Sequence, residues 1–146
     1  MNHRPADILP ARPPLSAGRR VVAISLLVIA APLLVALWSA AAQGFGAPSA
    51  WMAVIVIADA SLLLQLLRWP PGTARIALAF GFLLICTLAS LWLAAAGVIG
   101  PAFGLLPWES ALRMGPVLFS IIAETWWTPG NAAWMVAALA LGLWWN

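Results

Sequence analysis

The sequence predicts an all-α integral membrane protein, folded as a small bundle of four to five transmembrane helices. Of its 146 residues, 64% are hydrophobic and only 8% are charged, too few to cover a water-facing surface. Apolar runs of about 20 residues recur along the chain, separated by short stretches rich in Gly, Pro, Trp and Arg. We therefore expect one bundle in a lipid bilayer without an extramembrane domain. Nucleic-acid binding is not expected, because no basic patch with interleaved aromatic residues is present.

The first span follows a Pro-rich segment. Residues 1–18 contain little apolar periodicity and predict an irregular cytoplasmic tail, which leaves 19–146 as a single bundle. The apolar run 21–42 is longer than the roughly 7 to 15 residues of a signal-peptide core. We therefore interpret it as a transmembrane helix, bent near Pro32.

The second and third spans are predicted at 49–67 and 76–98. The connection between them carries Arg68 and Arg75, and the positive-inside rule places it on the cytoplasmic side together with the tail. Asp59 lies close to the middle of the second span, where a carboxylate costs about 2.5 to 3.5 kcal/mol on insertion scales.

The fourth segment, 108–125, is the only apolar segment with several charges. If it forms one helix, its polar side chains fall within a stripe about 60° wide. These residues are Glu109, Arg113, Ser120 and Glu124. An interfacial or re-entrant segment, leaving four spans, is the alternative. A short last span at 132–145 then puts the end of the chain on the outer side.

Asp59 and Arg113 are expected at similar depths, because each follows the outer end of its span by a few residues. We predict that they are in contact, with Glu109 competing for the guanidinium group. Three interpretations of this polar cluster remain open. It fastens helices together, it forms a proton or ion path, or it contacts a lipid headgroup or a partner subunit.

Tryptophan is abundant, with ten Trp and no Tyr in the chain. Seven Trp residues fall at predicted span ends, where an amphipathic ring prefers the headgroup level, and this pattern predicts an aromatic belt. They are Trp51, Trp69, Trp108, Trp126, Trp127, Trp144 and Trp145.

The sequence offers little for catalysis or metal binding. Cys86 is the single cysteine, which excludes an internal disulfide. His3 follows Met1 and Asn2, so the terminal amine, two amides and the imidazole could hold Cu(II), although a chance histidine has the same pattern. No catalytic set of side chains is visible, and we expect neither enzymatic activity nor a bound cofactor.

Two stretches in the second half of the chain match a known pattern. Ser90 to Gly97 reads S-L-W-L-A-A-A-G, and Glu124 to Trp134 reads E-T-W-W-T-P-G-N-A-A-W. Together with the Arg-led span at Arg75, this order of features resembles the CopD/PcoD family of bacterial copper-resistance membrane proteins. The resemblance implies copper handling at the inner membrane.

Two functions follow as expectations. The first is a non-catalytic accessory subunit of a larger protein complex in the bacterial inner membrane, which packs through small-residue faces and the intramembrane polar cluster. We expect this subunit to be multi-pass with a cytoplasmic N-terminus. Its partners are the lipid bilayer and other membrane protein subunits. The alternative is a CopD-like carrier, copper-handling or proton-linked, and only this alternative involves copper.

Overall fold

The computed structural model describes residues 16–45 and 49–146. Over these residues the protein is all-helical, with six α-helices, one 3₁₀ helix and no strand, which confirms the predicted all-α class. In chain order the elements are α1 (Ala17–Phe45), α2 (Met52–Leu66), α3 (Thr73–Ile99), the 3₁₀ helix (Gly100–Phe103), α4 (Pro107–Arg113), α5 (Pro116–Trp126) and α6 (Pro129–Trp145).

Two helices of the described chain are long and apolar enough to cross a membrane, judged by length and composition. They are α1, with 29 residues, and α3 with its 3₁₀ extension, with 31 residues in all. The 15 residues of α2 and the 17 of α6 reach about 22 and 26 Å, less than a hydrocarbon core of about 30 Å. A bundle of four to five spans is therefore not confirmed.

Helix α3 is the centre of the bundle, since it packs against α1, α2, α4, α5 and α6. Helix α2 packs against α1, α3 and α6, and their shared core is apolar. Small side chains let these backbones approach closely. Gly142 is one example, because a Cβ there would lie 2.9 Å from Ile57 Cγ1 and 3.1 Å from Phe80 Cζ.

The segment 108–125, predicted as one helix, is divided in two. Helix α4 ends at Arg113, Met114 and Gly115 are extended, and Pro116 opens α5 as its first residue. The cause is local, because proline disfavours helical backbone at the residue before it and is well suited to the first turn of a new helix. The single polar stripe predicted for this segment does not form.

Four helix termini lie at the same end of the bundle. The start of α1 meets the end of α2 around a cavity lined by Arg19 and Arg68. The start of α3 meets the end of α6, where Arg75 Nε donates to Asn146 Oδ1 at 2.8 Å. The end of α6 therefore lies on the same side as the start of α1. A chain end on the opposite side, predicted from five spans, is wrong because α4 and α5 do not form a full span.

Candidate functional site

Asp59 has an unpaired oxygen within the bundle. Its side chain is partly buried on α2, and Oδ2 has no hydrogen-bond partner among the described residues. The predicted contact with Arg113 is absent from this part of the chain, because α4 packs on α3 and the 3₁₀ helix whereas α2 packs on α1, α3 and α6. Cys86, whose thiol is buried, lies on the neighbouring helix α3, which packs against α2.

The other residues of the predicted polar cluster have separate local roles. Glu109 Oε2 accepts a hydrogen bond from Leu106 N at 3.0 Å, which satisfies a free N–H at the start of α4. Ser120 Oγ donates to the carbonyl of Val117 at 2.8 Å, within its own helix. Arg113 and Glu124 are exposed. The structure therefore does not bring these residues into one cluster with Asp59.

Arg113 instead borders a separate cavity beside the 3₁₀ helix. The cavity has a volume of about 400 Å³ and lies between the end of α3 and the helices α4 and α5. Helix α4 is held there by Trp92, whose Nε1 donates to the carbonyl of Ala111 at 3.0 Å. The Trp92 ring also lies 4.9 Å from the ring of Phe119, centre to centre, which attaches α5 to the same part of α3.

A different polar cluster joins α2, α3 and α6. We name it the Arg75 cluster, and its members are Ser61, Gln65, Arg75 and Asn146. Arg75 donates from Nε to Asn146 Oδ1 at 2.8 Å and from Nη2 to the Ser61 carbonyl at 3.4 Å. Asn146 Nδ2 donates to Ser61 Oγ at 2.7 Å and to the Gly142 carbonyl at 2.9 Å.

The Gln65 amide completes the Arg75 cluster. With its oxygen facing the donors, Gln65 Oε1 accepts from Arg75 Nη2 at 3.0 Å and from Trp145 Nε1. Ser61 and Gln65 are four residues apart, so both side chains lie on one face of α2. That spacing is visible in the sequence, and it is the signal that could have identified the cluster.

The electrostatics of this cluster are unusual. Arg75 is only 6% exposed, and all of its hydrogen-bond acceptors in the described chain are neutral. A guanidinium group stays protonated, so its burial costs several kcal/mol that the hydrogen bonds must offset. The Arg75 cluster therefore stabilises the contact between α2, α3 and α6 only when all of its hydrogen bonds are formed.

The described cations are concentrated at the end of the bundle that holds the Arg75 cluster. Arg19 and Arg20 lie in the first turn of α1, Arg68 follows α2, and Arg75 lies in the first turn of α3. Arg113 lies near the opposite end of α3. The charge distribution along the bundle is therefore strongly asymmetric.

The seven Trp residues predicted as a belt differ in exposure. Trp51, Trp108, Trp127, Trp144 and Trp145 are exposed, whereas Trp69 and Trp126 are partly buried. Trp126 and Trp127 also line a cavity of about 70 Å³ together with the buried Trp38 and with Thr87 and Leu91 of α3. Ala50, just before α2, lines the same cavity, so the pair lies beside α3 at the level where α2 begins.

Comparison of the chain with models of protein families, with curated proteins and with solved structures gave no match. The interpretation of the site therefore depends on the side chains themselves. No group of three His, Cys, Asp or Glu residues that could hold a metal ion occurs within 16–45 and 49–146. His3, the candidate copper ligand, lies outside the described residues.

Proposed function

We propose that the chain is a non-catalytic accessory subunit of a larger protein complex in the bacterial inner membrane. Two features support a membrane location: the two helices of spanning length and the Arg-rich end of the bundle. The same asymmetry favours a cytoplasmic position for that end, and with it for the start of α1. In this proposal α2 and α6 complete the bundle beside the two long helices.

The exposed face of α5 is the observation that carries this proposal. Helix α5 contributes no buried residue. One of its faces presents Val117, Ser120, Ile121 and Glu124, which are spaced three and four residues apart and are all exposed. We name these four residues the α5 face.

The chemistry of the α5 face favours a protein neighbour over lipid. Val117 and Ile121 are 73% and 57% exposed, so the face is apolar enough to avoid water. Glu124 on the same face is a carboxylate, which is costly to expose to acyl chains. A partner helix that offers apolar side chains and a donor for Glu124 satisfies both, as in other membrane helix pairs.

Co-purification tests the proposal. The tagged full chain is expressed at native level and isolated in mild detergent, and we expect other membrane proteins in stoichiometric amounts. Ile121→Trp adds bulk to the α5 face and should release them. Leu139→Trp places the same ring at an exposed position of α6 and should leave them bound. Recovery of the wild-type chain alone, or equal effects of the two variants, would show that the α5 face does not bind a partner.

Asp59 favours a second candidate, a CopD-like copper-handling or proton-linked carrier. An unpaired, partly buried carboxylate oxygen can accept a proton or a cation within the bilayer. Reconstitution of the purified chain in vesicles tests this alternative. A carrier should move copper or protons without other subunits, and Asp59→Asn should abolish that flux. Vesicles with no flux above the protein-free level would rule the carrier out.

A further inference from the structure

A cavity lies at the Arg-rich end of the bundle, between the first turn of α1 and the end of α2. Its volume is about 330 Å³. The lining residues are Gly18, Arg19, Val22, Leu66, Leu67 and Arg68. The cavity is separate from the Arg75 cluster and from the α5 face, so neither feature accounts for it.

The lining combines two kinds of surface. Arg19 in the first turn of α1 and Arg68, which follows α2, both line this cavity. Guanidinium groups match phosphate oxygens well, because they offer several N–H donors in a planar arrangement. Val22, Leu66 and Leu67 supply an apolar wall next to these cations. A ligand that fits both must carry a phosphate beside a hydrocarbon chain.

The backbone at Arg68 gives a second, independent observation. Helix α2 ends in a Schellman turn, in which Trp69 N donates to the Leu64 carbonyl at 2.9 Å and Arg68 N to the Gln65 carbonyl at 2.8 Å. The residue in the left-handed position of this turn is usually glycine, but here it is Arg68, with φ of 56°. A side chain is disfavoured in this conformation. The turn nevertheless places Arg68 at the cavity that Arg19 also lines.

We propose that this cavity binds the phosphate headgroup of an anionic phospholipid. Arg19 and Arg68 hold the phosphate, and the acyl chains begin along Val22, Leu66 and Leu67. Basic pockets between helices on the cytoplasmic side of a membrane are suited to such headgroups. The inference rests on the membrane location of the chain but not on its role as a subunit.

Native mass spectrometry of the purified full chain tests this inference with phosphatidylglycerol and phosphatidylcholine as probes. Arg19→Gln should weaken phosphatidylglycerol binding about fivefold, as expected for one Arg near an anionic headgroup. Arg20→Gln removes the same charge from the neighbouring residue, which is not part of the lining, and should have little effect. The Arg19→Gln, Arg68→Gln double variant should lose roughly 25-fold in affinity.

Three outcomes would overturn the inference. Equal losses for Arg19→Gln and Arg20→Gln would show a general effect of charge without a defined site. If the wild-type chain binds phosphatidylcholine as tightly as phosphatidylglycerol, the cavity does not recognise the anionic headgroup. Displacement of the lipid by millimolar glycerol phosphate would show that the cavity takes a soluble phosphate and not a lipid. Since binding is measured on the purified chain, the result does not depend on whether a partner protein exists.

Discussion

Gly142 allows a sharp test of how closely α6 packs on α2 and α3. In Gly142→Ala the new Cβ would lie 2.9 Å from Ile57 Cγ1, 3.1 Å from Phe80 Cζ and 3.2 Å from Ile57 Cδ1. Ile57 is fully buried, so it has little space to move away. Overpacking of this kind costs about 1 to 3 kcal/mol.

The helix propensity of alanine opposes that cost. Replacing glycine by alanine inside a helix contributes about 1 kcal/mol. We therefore expect Gly142→Ala to lower the free energy of unfolding by about 0 to 2 kcal/mol. Gly81→Ala is the matched control on α3, because nothing lies within 4 Å of a Cβ at that position. It should raise the free energy of unfolding by up to about 1 kcal/mol.

Detergent-induced unfolding in mixed micelles, followed by tryptophan fluorescence, measures both variants. The expected difference between them is about 1 to 3 kcal/mol. Ile57→Ala removes the crowded atoms, so it should cost less in the Gly142→Ala background than alone, with a coupling energy of at least about 0.5 kcal/mol. Equal shifts for the two glycine variants, or strict additivity with Ile57→Ala, would refute the close packing inferred here.

Three further predictions use the same unfolding assay. Arg68→Gly should stabilise the chain by about 1 kcal/mol, because it removes a side chain from a left-handed position; a loss of stability would contradict this. Asn146→Ala should lower the free energy of unfolding by about 2 to 3 kcal/mol, because Arg75 Nε loses its hydrogen-bond partner at 2.8 Å. An unchanged free energy of unfolding would show that this hydrogen bond does not stabilise the fold. Asp59→Asn and Arg113→Leu should be additive within about 0.5 kcal/mol, whereas coupling above about 1 kcal/mol would indicate a contact that the structure does not show.

The helices themselves were largely predictable from the sequence, because each apolar run is bounded by residues that stop a helix. The division between α4 and α5 differs from the single helix predicted there, and its sequence signal is Gly115 followed by Pro116, a pair that interrupts helices. The spacing of four polar residues predicts one helix, but the backbone restriction that proline imposes on the residue before it outweighs that pattern.

The Arg75 cluster could be predicted only in part. Ser61 and Gln65 share a face of α2, and their spacing marks a polar patch on an otherwise apolar helix. Their partner Asn146 is 85 residues away from Ser61. Pairing them requires knowing that the end of α6 meets the end of α2, and the predicted order of spans put those two ends on opposite sides.

The position of Asn146 in the Arg75 cluster has a consequence for biosynthesis. Helices α2 and α3 are adjacent along the chain and pack together, so they can assemble as a hairpin while the ribosome is still extending the polypeptide. Within this hairpin Arg75 Nη2 already has the Gln65 amide oxygen and the Ser61 carbonyl as acceptors, whereas Arg75 Nε gains Asn146 Oδ1 only after residue 146 has been added and α6 has docked. Docking of α6 is therefore the step that completes the hydrogen bonding of the buried guanidinium group.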